Sequence, residues 1–185
     1  MINLLGGGFL TASIGQAIPS TPQKSEFEVF FQNWFIHDYN HGIMKANKDF
    51  NSELFALCDE FASGKKHRIS EDVKRQTGKT TLLAALSVFL ANKSVPVYVI
   101  GGYRRQIQYQ MRDMFKYANK DKTFPENIYH LISVSDNLCG LKKNSVILAD
   151  EIIACNQHFL YHLDGLLALR QDIRFLSLYT SRGNE

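Results

Sequence analysis

"EDVKRQTGKTTLLAALSVFL", residues 71–90, places the tripeptide Gly78-Lys79-Thr80 directly before a run that reads as a helix. A phosphate-binding loop needs backbone N–H groups facing the phosphates, a lysine for the β/γ charge and a Ser or Thr hydroxyl for magnesium. Gly78 lets the backbone approach closely, and Lys79 and Thr80 supply the other two groups. The usual opening glycine of such a loop is missing, and Val73 stands in its place. Taken alone, the tripeptide leaves two readings open: a nucleotide site of unusual type, or a chance GKT at the start of an ordinary helix. The helix after it is well specified, with Leu82, Leu83, Leu86 and Leu90 recurring on its apolar side.

A nucleotide site also needs a carboxylate at the end of a buried strand, and "NSVILADEI", residues 144–152, offers one. Val146, Ile147, Leu148 and Ala149 run straight into Asp150 and Glu151. Asp150 suits the metal side, and Glu151 suits a general base that activates water for attack on a γ-phosphate. The competing reading is a strand that simply leaves the sheet through an acidic turn. Order and spacing favour the site: the carboxylates follow the lysine by about seventy residues, with a strand–helix unit between. A parallel sheet brings such strand ends together at a topological switch point.

The rest of the chain alternates between strand and helix patterns. "HRISEDV" (67–73) reads as a short strand weakened by Glu71 and Asp72. "SVPVYVIGG" (94–102), "NIYHLISV" (127–134) and "IRFLSLYT" (173–180) are further strands. Helices are predicted over "YRRQIQYQMRDMFKYAN" (103–119) and "QHFLYHLDGLLALRQ" (157–171). The expected fold class is therefore α/β, with a mostly parallel sheet covered by helices on both faces. Upstream, residues 1–24 read as an irregular arm. Ser25 and Glu28 form a capping-box pattern for a helix carrying Phe27, Phe30, Phe31, Trp34 and Phe35 at helical spacing, a core-facing stripe. A second helix, "FNSELFALCDEFASG" (50–64), closes at Gly64. The division expected is 1–66, an arm and helices packing on the core, and 67–185, the core itself.

Composition sets looser bounds. The 185 residues are 45% hydrophobic and 21% charged, which fits one globular domain. A formal charge of +3 permits nucleic-acid binding without arguing for it. Cys58, Cys139 and Cys155 are scattered and lack a CxxC spacing, as in a cytosolic protein with reduced thiols. The apolar N-terminus has no basic region and is broken by Gly6, Gly7 and Gly8, so a secretory leader is not expected. No run approaches the roughly 18 apolar residues of a membrane span. A cytoplasmic location is the expectation.

The loop "KRQTGKTT" (74–81) resembles the ATP-binding loop of large terminase subunits, the DNA-packaging motors of tailed bacteriophages and related viruses. Many of those loops lack the opening glycine and carry an Arg-Gln pair before a variable residue and GKT or GKS. The similarity continues through "VPVYVIGG", a Gln- and Arg-bearing helix, "VILADE" and "FLSLYTSRG", which resembles their coupling motif. It covers roughly residues 67–182, and the loop is its specific part. The resemblance implies a RecA-like P-loop ATPase core with an N-terminal helical extension, binding ATP and Mg2+. Gln76, Thr77, Gly78, Lys79, Thr80 and Thr81 would hold the nucleotide, and Thr80 and Asp150 the metal. Glu151 would be the base, Lys79 would hold the phosphates and Arg75 would sense or stabilise the γ-phosphate. Thr180 and Ser181 would couple hydrolysis to movement. An upstream glutamine contacts adenine in relatives, and Gln32 is the candidate here.

The implied partners are double-stranded DNA and further copies of the chain in a ring on a portal-type partner. Packaging terminases typically continue into a nuclease domain with clustered acidic residues. No room for one is expected here. Two other functions compete with a DNA-translocating motor: a helicase-like or repair ATPase of the same broad fold, and a nucleotide-binding assembly module without hydrolysis of its own. A basic face at Arg104, Arg105, Gln108 and Arg112 suits either a phosphate backbone or solvent. His158 and His162 stand at metal-ligand spacing, but Phe159 occupies the place where a zinc protease needs glutamate.

Overall fold

The structure, a computed structural model, describes residues 24–40, 52–75, 77–101, 128–130, 138–152 and 157–181. In chain order these form α1 (Glu26–Asn40), α2 (Ser52–Ala62), β1 (Arg68–Asp72), α3 (Lys79–Asn92), β2 (Val97–Gly101), β3 (Ile128–His130), a 3-10 turn at Leu138–Gly140, β4 (Val146–Asp150), α4 (Gln157–Leu169) and β5 (Arg174–Tyr179). The helix expected over 103–119 lies outside the described residues, as do the arm at 1–23 and the end of the strand expected over 127–134.

The five strands make one sheet in the order β1-β5-β4-β2-β3, and every pairing is parallel. Side chains alternate across it, as a pleated strand requires. Val97 and Val99 of β2, Val146 and Leu148 of β4, and Leu176 and Leu178 of β5 share a core with α1, α2 and α3. Tyr98, Ile100, Ile147, Ala149 and Phe175 face the other way, onto Phe159, Leu163 and Leu167 of α4. With both faces covered, β4 is buried at every residue, which is why its sequence is apolar without alternation. β1 lies at the sheet margin and buries only Ile69, so Glu71 and Asp72 sit there in solvent without harm.

α3 departs from its expected one-sided pattern. Besides the four leucines, Ala84, Ala85, Val88 and Phe89 are buried, because α1 and α2 cover the side that the sheet leaves open. Ser87 is also buried and returns its hydroxyl to Leu83 O at 2.7 Å, which satisfies it inside the helix. Phe27 stacks on Phe55 of α2 at 5.6 Å and meets Phe89 of α3 edge-on at 5.3 Å, joining the three helices.

The Gly64 stop holds, and of the capping box the serine half is in place. Ser25 Oγ accepts the Glu28 N–H at 2.9 Å, and Gly64 ends α2 in the left-handed region at φ 79°. The Glu28 carboxylate takes the Gln32 amide at 2.8 Å, and the Ser25 hydroxyl donates to Asp59 of α2. Among the described residues, no helix is long and apolar enough to cross a membrane.

Candidate functional site

The chain passes from β1 to α3 through Val73–Gly78, at the carboxyl end of the sheet. Val73 explains the missing glycine. Its N–H continues the sheet to Tyr179 O at 2.8 Å, and its side chain is buried in the core beside α3. Glycine would leave that space empty. The loop then turns, braced by a 2.9 Å bond from the Thr77 hydroxyl to Lys74 O. Gly78 sits in the left-handed region at φ 84° and ψ 16°, where a side chain would be strained. Its carbonyl accepts the first helical bond, from Leu82 at 2.9 Å. Among the described residues, no side chain caps α3. Its first-turn N–H groups lie at a helix N-terminus, at the positive end of the dipole.

Asp150 ends β4 on the face that carries α3, following the alternation from Val146 and Leu148. It is fully buried, and its Oδ2 accepts the Thr80 hydroxyl at 3.0 Å. Among the described residues, its buried Oδ1 has no hydrogen-bond partner. Burial pushes the carboxyl up to about 6; the Thr80 bond opposes the rise, Glu151 adds to it and Lys79 opposes it. A buried carboxylate with one oxygen unmatched, beside a threonine hydroxyl, suits a hard divalent cation. Magnesium commonly takes one or two protein oxygens and completes its shell with water and phosphate. Among the described residues, no three His, Cys, Asp or Glu side chains gather into a metal cage.

In a continuing strand, Glu151 would face away from Asp150. It adopts φ 52° instead, an uncommon left-handed conformation for a residue with a side chain. Its N–H still bonds Leu178 O at 3.0 Å, so the chain stays on the sheet while the side chain swings across to the loop. Both carboxylates therefore meet the first turn of α3, Asp150 at Thr80 and Glu151 at Lys79. The Glu151 Oε1 lies 3.0 Å from the ammonium of Lys79, whose side chain is only 7% exposed.

β5 lies between β1 and β4, and its end carries Thr180 into the middle of the group. The Thr180 N–H donates to Glu151 Oε2 at 2.9 Å. Its hydroxyl donates to Val73 O at 3.0 Å, stands 3.3 Å from Glu151 Oε1 and accepts from Lys79 Nζ. Ser181 is tied by its backbone N–H to Asp72 Oδ1 at 2.9 Å. Of the two candidate hydroxyls, Thr180's is the one that meets the lysine.

The structure thus gathers Lys79, Thr80, Asp150, Glu151 and Thr180, with Thr77 and Gly78 shaping the loop. Thr81 is buried in α3, and Arg75 is exposed on the loop. Gln76 and the basic residues Arg104, Arg105 and Arg112 lie outside the described residues. Gln32 is engaged by Glu28 and by Lys24 at 2.7 Å, within its own helical segment. His158 and His162 are exposed on α4, with their Nε2 atoms 3.3 Å apart. Sequence reasoning missed the turn at Glu151 and the joint hold of Thr180 on Lys79 and Glu151. No residue type in "ADEI" advertises a left-handed backbone.

No protein-family model matches the sequence, and no curated protein matches it either.

Proposed function

We propose that the chain is a magnesium-dependent ATPase with a RecA-like core, and that its hydrolysis drives movement of double-stranded DNA, as in the packaging motors its loop resembles. One observation carries the hydrolase reading: Lys79, Thr80, Asp150 and Glu151 converge at the carboxyl ends of β4 and β5, beside an uncapped helix N-terminus. The sheet order, with β5 between the loop strand and the acidic strand, is compatible with such a core. The DNA, the ring and the portal-type partner rest on the resemblance of the loop and of the motifs after it.

The residues divide the work by chemistry. The α3 N-terminus and Lys79 bind and neutralise the phosphates, and Gly78 keeps the backbone close to them. Thr80 and Asp150 would hold magnesium, which supplies charge neutralisation on the phosphate oxygens when bound. Glu151 takes a proton from the attacking water as its oxygen bonds to the γ-phosphorus. The bond from that phosphorus to the β–γ bridging oxygen breaks, and ADP and inorganic phosphate leave. Thr180 holds Glu151 through its N–H and Lys79 through its hydroxyl, so it is placed to register the exchange of Lys79 between carboxylate and phosphate.

Phosphate release and nucleotide titration on the full chain test the hydrolase. Lys79→Ala should weaken both binding and turnover. Glu151→Gln should bind ATP and lose about a hundredfold or more of turnover. Equal turnover in Glu151→Gln removes that residue from the mechanism, and unchanged affinity in Lys79→Ala removes the loop. Translocation on duplex DNA, measured against strand separation, tests the motor.

A further inference from the structure

α4 is anchored to the sheet through Phe159, Leu163 and Leu167, on the face away from α3. Its outer side carries His158 and His162, one helical turn apart and both exposed. Their Nε2 atoms are 3.3 Å apart and their ring centroids 4.4 Å apart, so the two rings lean together at their Nε2 edges. Tyr161 beside them is 77% exposed, and a Cβ at Gly165 would meet nothing within 4 Å among the described residues, so this side of the helix is open to solvent.

The separation fits a shared metal ion. Two metal–nitrogen bonds of about 2.0–2.1 Å that meet at a tetrahedral angle set their nitrogens about 3.3–3.4 Å apart, whereas a right angle sets them about 2.9 Å apart. A hydrogen bond between the imidazoles also spans this gap, although 3.3 Å is near its long limit. We infer that His158 and His162 form a two-point site for a borderline divalent cation such as zinc, separate from the magnesium position proposed at Thr80 and Asp150. Each ring gives the ion its Nε2 lone pair. A ring that carried its proton on Nε2 shifts it to Nδ1, so a neutral pair loses no proton. Among the described residues, no third His, Cys, Asp or Glu side chain joins the pair, and water fills the remaining positions. The helix is held by its buried side, so both ligands are positioned before the ion arrives. Imidazole nitrogen favours zinc, nickel and copper over magnesium, which takes oxygen.

Calorimetric titration of the full chain with zinc chloride, in buffer holding a large excess of magnesium, tests the site. Micromolar binding is expected, with a melting temperature that rises as zinc is added. His158→Ala and His162→Ala should each weaken zinc by about tenfold or more, because loss of either ligand forfeits the chelate. Both positions are exposed, so melts without zinc should match the unaltered chain. His67→Ala removes an exposed imidazole outside α4 and should leave zinc affinity unchanged. Absence of zinc binding, displacement of zinc by magnesium, or an equal effect of all three substitutions overturns the site. Imidazole nitrogen NMR is the second measurement. The Nε2 resonances of His158 and His162 should both shift with zinc, and shifts confined to other histidines overturn the assignment.

Discussion

The Lys79 ammonium lies 3.0 Å from Glu151 Oε1, so the cation that would hold phosphate is held by the carboxylate that would activate water. Each of the two functional groups occupies the other. On the proposed reading, a phosphate that reaches the loop would take Lys79 from Glu151 and so free that carboxylate. Replacing Glu151 with Gln removes the competing charge. Glu151→Gln should therefore bind inorganic triphosphate several-fold more tightly than the unaltered chain, while Lys79→Ala binds it more weakly. Calorimetric titration reads both. Equal or lower affinity in Glu151→Gln would mean that the ion pair does not compete with phosphate.

Asp150 gives a pH signature. Its folded carboxyl is raised from 3.8 to about 6, chiefly by burial, so the fold favours the protonated form. A group of this sign adds no penalty at pH values well below 3.8. Its cost grows as pH rises toward 6 and is complete above that, at about 3 kcal/mol in the metal-free protein. Asp150→Asn keeps the shape and loses the charge. It should melt higher than the unaltered chain at pH 8, with the gap closing as pH falls through 6 toward 4. Magnesium should raise the melting temperature of the unaltered chain more at pH 8 than at pH 5, and should do little for Asp150→Asn. A stability gap that is constant across this range would remove the buried charge as its cause.

Much of this arrangement was legible in the sequence, because it depends on local chemistry. Gly78 stood out as the residue that opens α3, where the structure gives it a left-handed backbone, and the apolar run into Asp150 had to be a buried strand. Other features depend on contacts between distant segments. The all-round burial of α3 follows from α1 and α2 lying over it, and no periodicity within residues 79–92 announces a lid. The weak strand pattern at Arg68–Asp72 reflects a marginal position in the sheet. That β5 inserts between β1 and β4 is a matter of topology, and only this insertion sets Thr180 between the lysine and the glutamate.

Val73 tests the loop's departure from the usual pattern. Its side chain is 9% exposed and packs into the core, and its carbonyl accepts the Thr180 hydroxyl. Val73→Gly restores the customary opening glycine and should nonetheless harm the protein. Loss of the buried side chain together with added backbone freedom should cost about 2–4 kcal/mol. Denaturant melts measure this directly. A neutral or stabilising result would show that the loop tolerates a glycine opening and that Val73 is not needed to anchor it.

Thr180 separates positioning from folding. Its backbone N–H, at 2.9 Å from Glu151 Oε2, survives any substitution except proline, whereas the bonds to Val73 O and Lys79 need the hydroxyl. Thr180→Val keeps the shape and β-branching but removes the hydroxyl, and Thr180→Ser keeps the hydroxyl and removes a methyl. If the hydroxyl aligns Lys79 and Glu151 for hydrolysis, Thr180→Val should lose roughly ten- to a hundredfold in turnover with ATP affinity within about threefold of the parent. Thr180→Ser should recover most of that loss. A purely structural role predicts the opposite pairing, in which both variants lose stability and turnover together, so melting temperature and kcat measured on the same two proteins decide between them.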